Sequence, residues 1–212
     1  MPVTEFNDDR AAIDYIRQRG YASYSSIKNV RDCVVPAAYK EEAWHRFGKE
    51  YHSRYLEKKK LTKLTNEEES RLRDMMMVLS KNKIAASLVA KSRNEIDYGP
   101  ASVLVKYKSN GIVVPSIYGL PVYGRIDILN TTNVADLKTT KLTNKKAFAA
   151  SMDFLQAAVY LAAAELTDFY YIGQSKVTPY TVMVFNVNEY PERLLAAVLE
   201  LKRLCKYISK KL

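Results

Sequence analysis

Two carboxylates and one ammonium fall close together in the stretch YGRIDILNTTNVADLKTTK: Asp127, Asp136 and Lys138. Between the carboxylates lies Asn-Thr-Thr-Asn at 130–133, turn chemistry flanked by apolar segments, which predicts a β-hairpin. With Leu129 opposite Val134, Asp127 stands opposite Asp136, and side-chain alternation puts Asp136 and Lys138 on the face of Asp127. Ile126, Ile128, Ala135 and Leu137 then take the other, apolar face. Like charges opposed on neighbouring strands repel, so the pattern calls for a counterion. Two carboxylates suit a hard divalent cation that keeps positions open for water and a phosphate oxygen. Such an ion activates water and offsets charge on a phosphodiester under attack. Lys138 is placed to hold that water or steady the phosphoryl oxygens. A solvated hairpin with a surface Asp–Lys pair has the same pattern and needs no cation.

Other residues are candidates for the same site. The chain has two histidines, His45 and His52, seven residues or about two helical turns apart, so both fall near one helical face. Neutral imidazole is a ligand for divalent ions, and either histidine is a candidate. Gln156 and Tyr160 are four apart and share a helical face. A Gln in a helix otherwise made of Ala, Leu, Val, Phe and Met requires a partner. Arg125, Lys141, Lys145 and Lys146 flank the Asp–Lys stretch in positions to grip phosphates, although a run of charge is often only a solvated face. The formal net charge of +10, from 33 Lys and Arg against 23 Asp and Glu, favours a polyanionic partner such as nucleic acid.

The elements that must hold these residues fall into two halves. Residues 1–93 read as mainly helical. A short amphipathic segment at 8–19 ends at Gly20, and a Ser-, Tyr- and Pro-punctuated stretch follows with a short helix between turns. Between 36 and 60, Tyr39, Ala43, Phe47, Tyr51 and Tyr55 recur every four residues and mark one helical face. Thr65 with Glu68 is a capping-box pattern for a helix over 65–79, in which Met75, Met76 and Met77 read as core filler. A further helix is expected over 83–93. From 101 the pattern turns to strands: ASVLVKY, a turn at 109–111, IVVPSIYG, VYGRIDIL and VADLKTT. Residues 147–166, apolar on nearly all sides, predict one buried helix. Strands follow at 169–172 and 180–187. A last helix opens at Pro191, with an apolar stripe through Leu194, Val198, Leu201, Cys205 and Ile208.

At 212 residues, with 48% apolar and 26% charged residues, the chain has the balance of one soluble domain able to bury a core without disulfides. It holds no run of apolar residues long enough to span a bilayer, and its opening residues lack the layout of a signal peptide. Its two cysteines, Cys33 and Cys205, are too few for a four-thiolate cluster and read as free thiols in a reducing cytoplasm. No Walker motif is present, which excludes an ATP-driven motor in this chain.

Taken together, these residues resemble the PD-(D/E)XK nuclease superfamily, in the branch of RecB-, RecE- and lambda-type exonucleases. The core motif reads GRID at 124–127 and DLK at 136–138. The branch's upstream Gly-x-x-x-His is matched by GKEYH, Gly48 to His52, and its Gln-x-x-x-Tyr by QAAVY, Gln156 to Tyr160. YASYSSI followed by VVPAAYK looks like the opening of RecE-like members. The resemblance runs from about Tyr21 to the last strands; Asp-x-Lys alone is common, and it is the four motifs in order that are specific.

The resemblance implies an α/β fold with a restriction-endonuclease-like core, a central mixed sheet flanked by helices, here with a helical N-terminal layer. It implies a single nuclease domain over 1–212, with the catalytic sheet and flanking helices in 94–212. Asp127, Asp136 and Lys138 would be catalytic. The metal, Mg²⁺ or Mn²⁺, would be held by His52, Asp127, Asp136 and the backbone carbonyl of Leu137, with His52 preferred to His45. Gln156 and Tyr160 would contact DNA backbone or support the lysine. An acidic residue upstream, Glu95 with Asp97 as its rival, would hold water or a second metal. The implied activity is exonucleolytic hydrolysis of DNA, at double-stranded ends, in recombination, repair or phage DNA processing. An annealing protein or recombinase is the implied partner, self-assembly has precedent among relatives, and the setting is a bacterial cytoplasm or a phage. A structure-selective or site-specific endonuclease, and a non-catalytic DNA-binding protein of the same fold, remain as alternatives.

Overall fold

In a computed structural model, the structure describes residues 9–33, 43–95, 116–124 and 126–212. Helix α1 (Asp9–Arg19) stops at Gly20, whose φ of +70° suits a residue without Cβ. Helix α2 (Tyr24–Asp32) is capped by Ser23 and Ser26. Helix α3 (Ala43–His52) runs on into a single π-helical turn, Ser53–Glu57, and buries Phe47, Tyr51 and Tyr55. Residues 36–42 of that expected helix lie outside the described residues. Helix α4 (Asn66–Lys81) begins with the Thr65–Glu68 capping box, and α5 (Lys83–Glu95) follows. Met75 is fully buried in α4, whereas Met77 is half exposed.

Six strands follow. β1 (Ser116–Ile117) and β2 (Leu120–Pro121) form a small hairpin. β3 (Ile128–Leu129), β4 (Asn133–Thr140), β5 (Asp168–Ser175) and β6 (Val182–Asn186) form one mixed sheet in that order. The β3–β4 and β5–β6 pairs are antiparallel and β4–β5 is parallel. The connection from β4 to β5 is made by α6 (Lys145–Ser151) and α7 (Phe154–Ala164), and α8 (Pro191–Lys211) ends the chain. The strands expected over 101–115 lie outside the described residues.

Helices cover both faces of the sheet. On one face, Val134, Phe169, Tyr171, Met183 and Phe185 pack with α1, α2, α6, α7 and α8. On the other, Ile128, Ala135, Leu137 and Ile172 pack with α3, α4 and α5. This is a mixed α/β architecture with the sheet as its middle layer. The N-terminal helices therefore do not form one layer, as expected, but divide between both faces: hydrophobic periodicity marks a helix's apolar side without saying which sheet face it meets.

Two further expectations are corrected. The apolar run 147–166 is two helices bent by 75°, because Asp153 caps the start of α7 and the chain breaks at Met152. Ile126 does not share the face of Ile128, Ala135 and Leu137; it packs in the α7-side core, since β3 begins only at Ile128 and strand alternation does not extend back to it. Among the described residues no single helix is long and apolar enough to cross a membrane.

Candidate active site

The turn at 130–133 sets the register of the site. Asn130 Oδ1 accepts from the backbone N–H of Thr132 (2.9 Å) and Asn133 (2.7 Å), closing the loop so that Leu129 pairs with Val134 and Ile128 with Ala135. One residue before β3, the Asp127 carboxylate accepts from the N–H of Leu137 at 2.9 Å. Pleating sends Val134, Asp136 and Lys138 to the α7 side and Ala135 and Leu137 to the α3 side. Asp136 is only 4% exposed. The site is therefore set into the molecule at the β3–β4 seam, and a solvated hairpin face does not describe it.

Each carboxylate has a basic partner. His52 Nδ1 lies 3.4 Å from Oδ2 of Asp127, and Lys138 Nζ lies 2.8 Å from Oδ2 of Asp136. Gln156 Nε2, from the first turns of α7, donates to the other oxygen of Asp136 at 2.8 Å. Tyr160, one turn on, is buried beside them, and burial followed by the Asp136 charge pushes its hydroxyl up to about 12. Two glycines admit these neighbours. A Cβ on Gly48 would stand 3.1 Å from Oγ1 of Thr139, so Gly48 lets α3 close on β4 and brings His52 to Asp127. A Cβ on Gly124 would stand 3.0 Å from the Tyr160 ring.

The electrostatics follow from burial against pairing. Burial opposes the charge on Asp127, but His52 and then Lys138 outweigh it and keep its pKa below the usual carboxylate value. Asp136 goes the other way: burial, aided by the Asp127 charge, exceeds what Lys138 returns and raises it. Burial also opposes positive charge on His52 and Lys138, yet Asp127 holds the imidazole up and Asp136, then Asp127, hold the ammonium up.

Among the described residues no three His, Cys, Asp or Glu side chains are gathered as a ready-made metal cage. The carboxylate oxygens face His52 and Lys138 instead. The donor chemistry nonetheless fits a hard divalent cation. Oδ2 of Asp136 is fully enclosed, and the partner that meets it is the Lys138 ammonium at 2.8 Å, carried on a flexible stem. An enclosed carboxylate oxygen is costly unless a cation meets it, a part that Lys138 takes here and that a divalent ion would take with Lys138 drawn off. The charges of Asp127 and His52 act on Asp136, and the Leu137 carbonyl belongs to the residue whose N–H Asp127 accepts. In a strand the N–H and C=O of one residue point to the same side, so that carbonyl is directed toward Asp127.

The remaining candidates are dispersed. Glu95 is the last residue of α5, and its side chain lies outside the described residues, as do Asp97 and Arg125. Lys141 lines a cavity beyond the end of β4. Lys145 opens α6 and pairs with Glu189 at 2.8 Å, and Lys146 is exposed beside it. It is His52, not His45, that faces Asp127.

Sequence reasoning missed the anchor of α7. Asp153 caps Leu155 N–H at 3.0 Å, accepts from Tyr24 Oη at 2.9 Å and receives both terminal nitrogens of Arg31, at 3.0 and 2.9 Å. Its carbonyl accepts from Tyr171 Oη at 2.7 Å and from the N–H of Gln156 at 3.1 Å. This network fixes the turn from which Gln156 reaches Asp136. The signal in the sequence is an Asp, a strong helix cap, inside an otherwise apolar run.

No family model matches this sequence, and no curated protein matches it. Among solved structures the chain is similar to a crystal structure of a "putative exonuclease" from Eubacterium rectale, with a TM-score of 0.48 and 12% identity, over 100% of this chain and 88% of that one. A likeness this distant carries no weight for chemistry, and the function is argued from the site.

Proposed function

We propose that the protein is a Mg²⁺- or Mn²⁺-dependent deoxyribonuclease acting as an exonuclease on double-stranded ends. The observation that carries this reading is the gathering of a buried Asp136, its Oδ2 met by the Lys138 ammonium at 2.8 Å, with Asp127 and His52 at the β3–β4 seam. Asp127, Asp136, His52 and the Leu137 carbonyl are the groups that would hold the cation. When bound, it supplies a polarised water and offsets charge on the scissile phosphate.

The chain's own residues do the positioning. Gln156 keeps Asp136 from rotating by holding one oxygen, leaving the other to face the site. The N–H of Leu137 does the same for Asp127. Lys138, once drawn off Asp136, carries its ammonium to the attacking water or to the phosphoryl oxygens, where negative charge builds. Tyr160 has its hydroxyl pushed up to about 12, so it stays protonated at neutral pH and serves as a hydrogen-bond donor, not a base. The net charge of +10 supports a nucleic-acid substrate. A role in recombination, repair or phage DNA processing, with an annealing protein or recombinase as partner, belongs to this same proposal.

The test is cleavage of linear and covalently closed circular duplex DNA, with Mg²⁺ or Mn²⁺ and with EDTA. Metal-dependent loss of the linear form alone supports the exonuclease. Cutting of both forms makes it an endonuclease. Binding without cleavage, equal in EDTA, overturns the catalytic reading.

A further inference from the structure

Residues 21–27, YASYSSI, and the helix α2 that they open touch both arms that lead to the site. On one side, the N–H of Ala22 donates to the carbonyl of Pro121 at 2.8 Å, and the carbonyl of Ala22 accepts from the N–H of Tyr123 at 2.7 Å. Tyr123 is followed by Gly124, and Asp127 lies three residues further on. On the other side, Tyr24 and Arg31, about two turns apart on α2, both reach Asp153 at the start of α7. The Tyr24 ring also stands edge-on to Tyr160, with centroids 6.4 Å apart. Packing α2 into the core needs only Ile27 and Val30, which are buried on the same helix. Tyr24 and Arg31 add direction.

Asp153 receives more than a helix cap requires. An oxygen accepting from Leu155 N–H is enough to begin α7, a part that Asn or Ser fills equally well. Here Oδ1 also accepts from Nη1 of Arg31 at 3.0 Å, while Oδ2 accepts from Nη2 of Arg31 and from Tyr24 Oη, each at 2.9 Å. A two-pronged guanidinium–carboxylate pair fixes orientation as well as distance. Nε of Arg31 meets Asp32 at 2.6 Å, so the guanidinium is held from behind while its fork faces Asp153. Burial opposes the Asp153 charge, but Arg31 and then Tyr24 outweigh it and hold its pKa below the usual carboxylate value, so the pair stays ionic. The carbonyl of the same residue is tied to the sheet: it accepts from Tyr171 Oη at 2.7 Å, and Tyr171 is the β5 neighbour of Asp136. Asp153 is thus held by α2 through its side chain and by β5 through its backbone. One turn on, Gln156 projects from this fixed start and donates to Oδ1 of Asp136. Ordering a glutamine costs rotamer freedom, so that bond persists only where the backbone beneath it is held.

We propose that Tyr24 and Arg31 are positioning residues of the site: through Asp153 they seat the first turn of α7, so that Gln156 holds Oδ1 of Asp136 and turns Oδ2 toward the cation that meets it. That this cation is a catalytic divalent ion rests on the nuclease reading; the seating of Gln156 does not.

The test is an NMR spectrum of the metal-free, isotope-labelled full chain, with the side-chain amide of Gln156 assigned as the signals lost in Gln156→Ala. An amide proton bound to a carboxylate resonates downfield of a free one. Tyr24→Phe with Arg31→Gln removes the donors that α2 gives Asp153 and should move those signals to the free-amide position. Arg31→Lys with Tyr24 kept restores a charged donor and should bring them part of the way back. Ile27→Val, fully buried on the same helix, loosens α2 but leaves the bonds to Asp153 in place, and should not move them. Mn²⁺ titration is the second readout. The double variant should bind about tenfold more weakly, the low end of the roughly 10–100-fold cost of losing a partner behind a metal ligand. In a Gln156→Ala background the same two substitutions should change Mn²⁺ affinity no further. Unmoved signals in the folded double variant overturn the proposal, and so do moved signals with wild-type Mn²⁺ affinity. Should the double variant not fold, Tyr24→Phe alone carries the test: it keeps the ring against Tyr160, and a smaller displacement in the same direction is expected, its absence overturning the proposal. If the wild-type chain binds no Mn²⁺, the nuclease reading fails, while displaced signals still support the seating of Gln156 by α2.

Discussion

The Gln156 amide donates to Oδ1 of Asp136 at 2.8 Å, from a helix whose start is tied down by Asp153, Arg31 and Tyr24. Both side chains are buried, at 6% and 4% exposure, so neither can turn to water. The bond therefore fixes which oxygen of Asp136 is left to face Lys138.

Gln156→Ala leaves a buried carboxylate oxygen without its donor, which costs about 1–3 kcal/mol. Urea unfolding of the metal-free protein should show that loss, and cleavage should fall further than stability alone explains, because Asp136 is free to rotate. Unchanged cleavage at a reduced stability would make Gln156 a packing residue only.

A second prediction concerns the sign of the Asp136 charge. Its native pKa is raised by burial and by Asp127, a shift that already includes the help of Lys138. A carboxyl raised above its unfolded value stabilises the fold while protonated and loses that contribution as pH rises through the native value. At neutral pH its ionised form is therefore a net cost in the metal-free protein. Asp136→Asn should raise the thermal midpoint of that protein while abolishing cleavage. A lowered midpoint would sink this account of the site.

The β3–β4 register is legible in the sequence because it depends on local chemistry: Asn130 closes the turn through its own side chain, so Leu129 meets Val134. The capping box at Thr65 and the helix opening at Pro191 are legible for the same reason. What cannot be read depends on partners distant in sequence. The break at Asp153 is hidden in an apolar run, and its reason is Arg31 and Tyr24, more than a hundred residues earlier. Ile126 is misplaced when alternation is carried past the end of a strand that has only Ile128 and Leu129. The cavity beyond β4 joins α4 to the ends of β4 and β5, and no spacing along the chain relates Arg71 to Lys176.

His52 and Asp127 make the metal-free protein pH-dependent from both sides. Asp127 is lowered, so its contribution is present above the unfolded carboxylate value, ~3.9, and is lost as pH falls through its native value. His52 is raised by Asp127 against burial, so its contribution is complete below ~6.5 and is lost as pH rises through its raised value. The stability advantage of the wild type over His52→Ala should accordingly be greatest in mildly acid solution and shrink above neutrality. Metal binding requires the neutral imidazole, so Mn²⁺ affinity should climb over that same upper range in the wild type and lose this dependence in His52→Ala. Calorimetric titration at several pH values checks both, with His45→Ala expected to track the wild type. Equal effects of the two substitutions would remove His52 from the ligand set.

The last prediction turns on Gly48 and Thr139. Replacing Gly by Ala inside a helix favours the helix by about 1 kcal/mol. Here the added Cβ would stand 3.1 Å from Oγ1 of Thr139, close enough that something must give by a few tenths of an ångström. If α3 gives, His52, one turn on, moves away from Asp127. Gly48→Ala should then change stability little, since gain and clash oppose, while weakening Mn²⁺ binding. Thr139→Ala removes the atom that is met, so Gly48→Ala in that background should leave Mn²⁺ affinity near that of Thr139→Ala alone. The coupling between the two sites, read from the four affinities of a double-mutant cycle, should lie in the range of about 0.5–3 kcal/mol expected for residues in contact. An effect of Gly48→Ala that is the same in both backgrounds would mean that Gly48 does not set the approach of α3 to β4, and the position of His52 would need another cause.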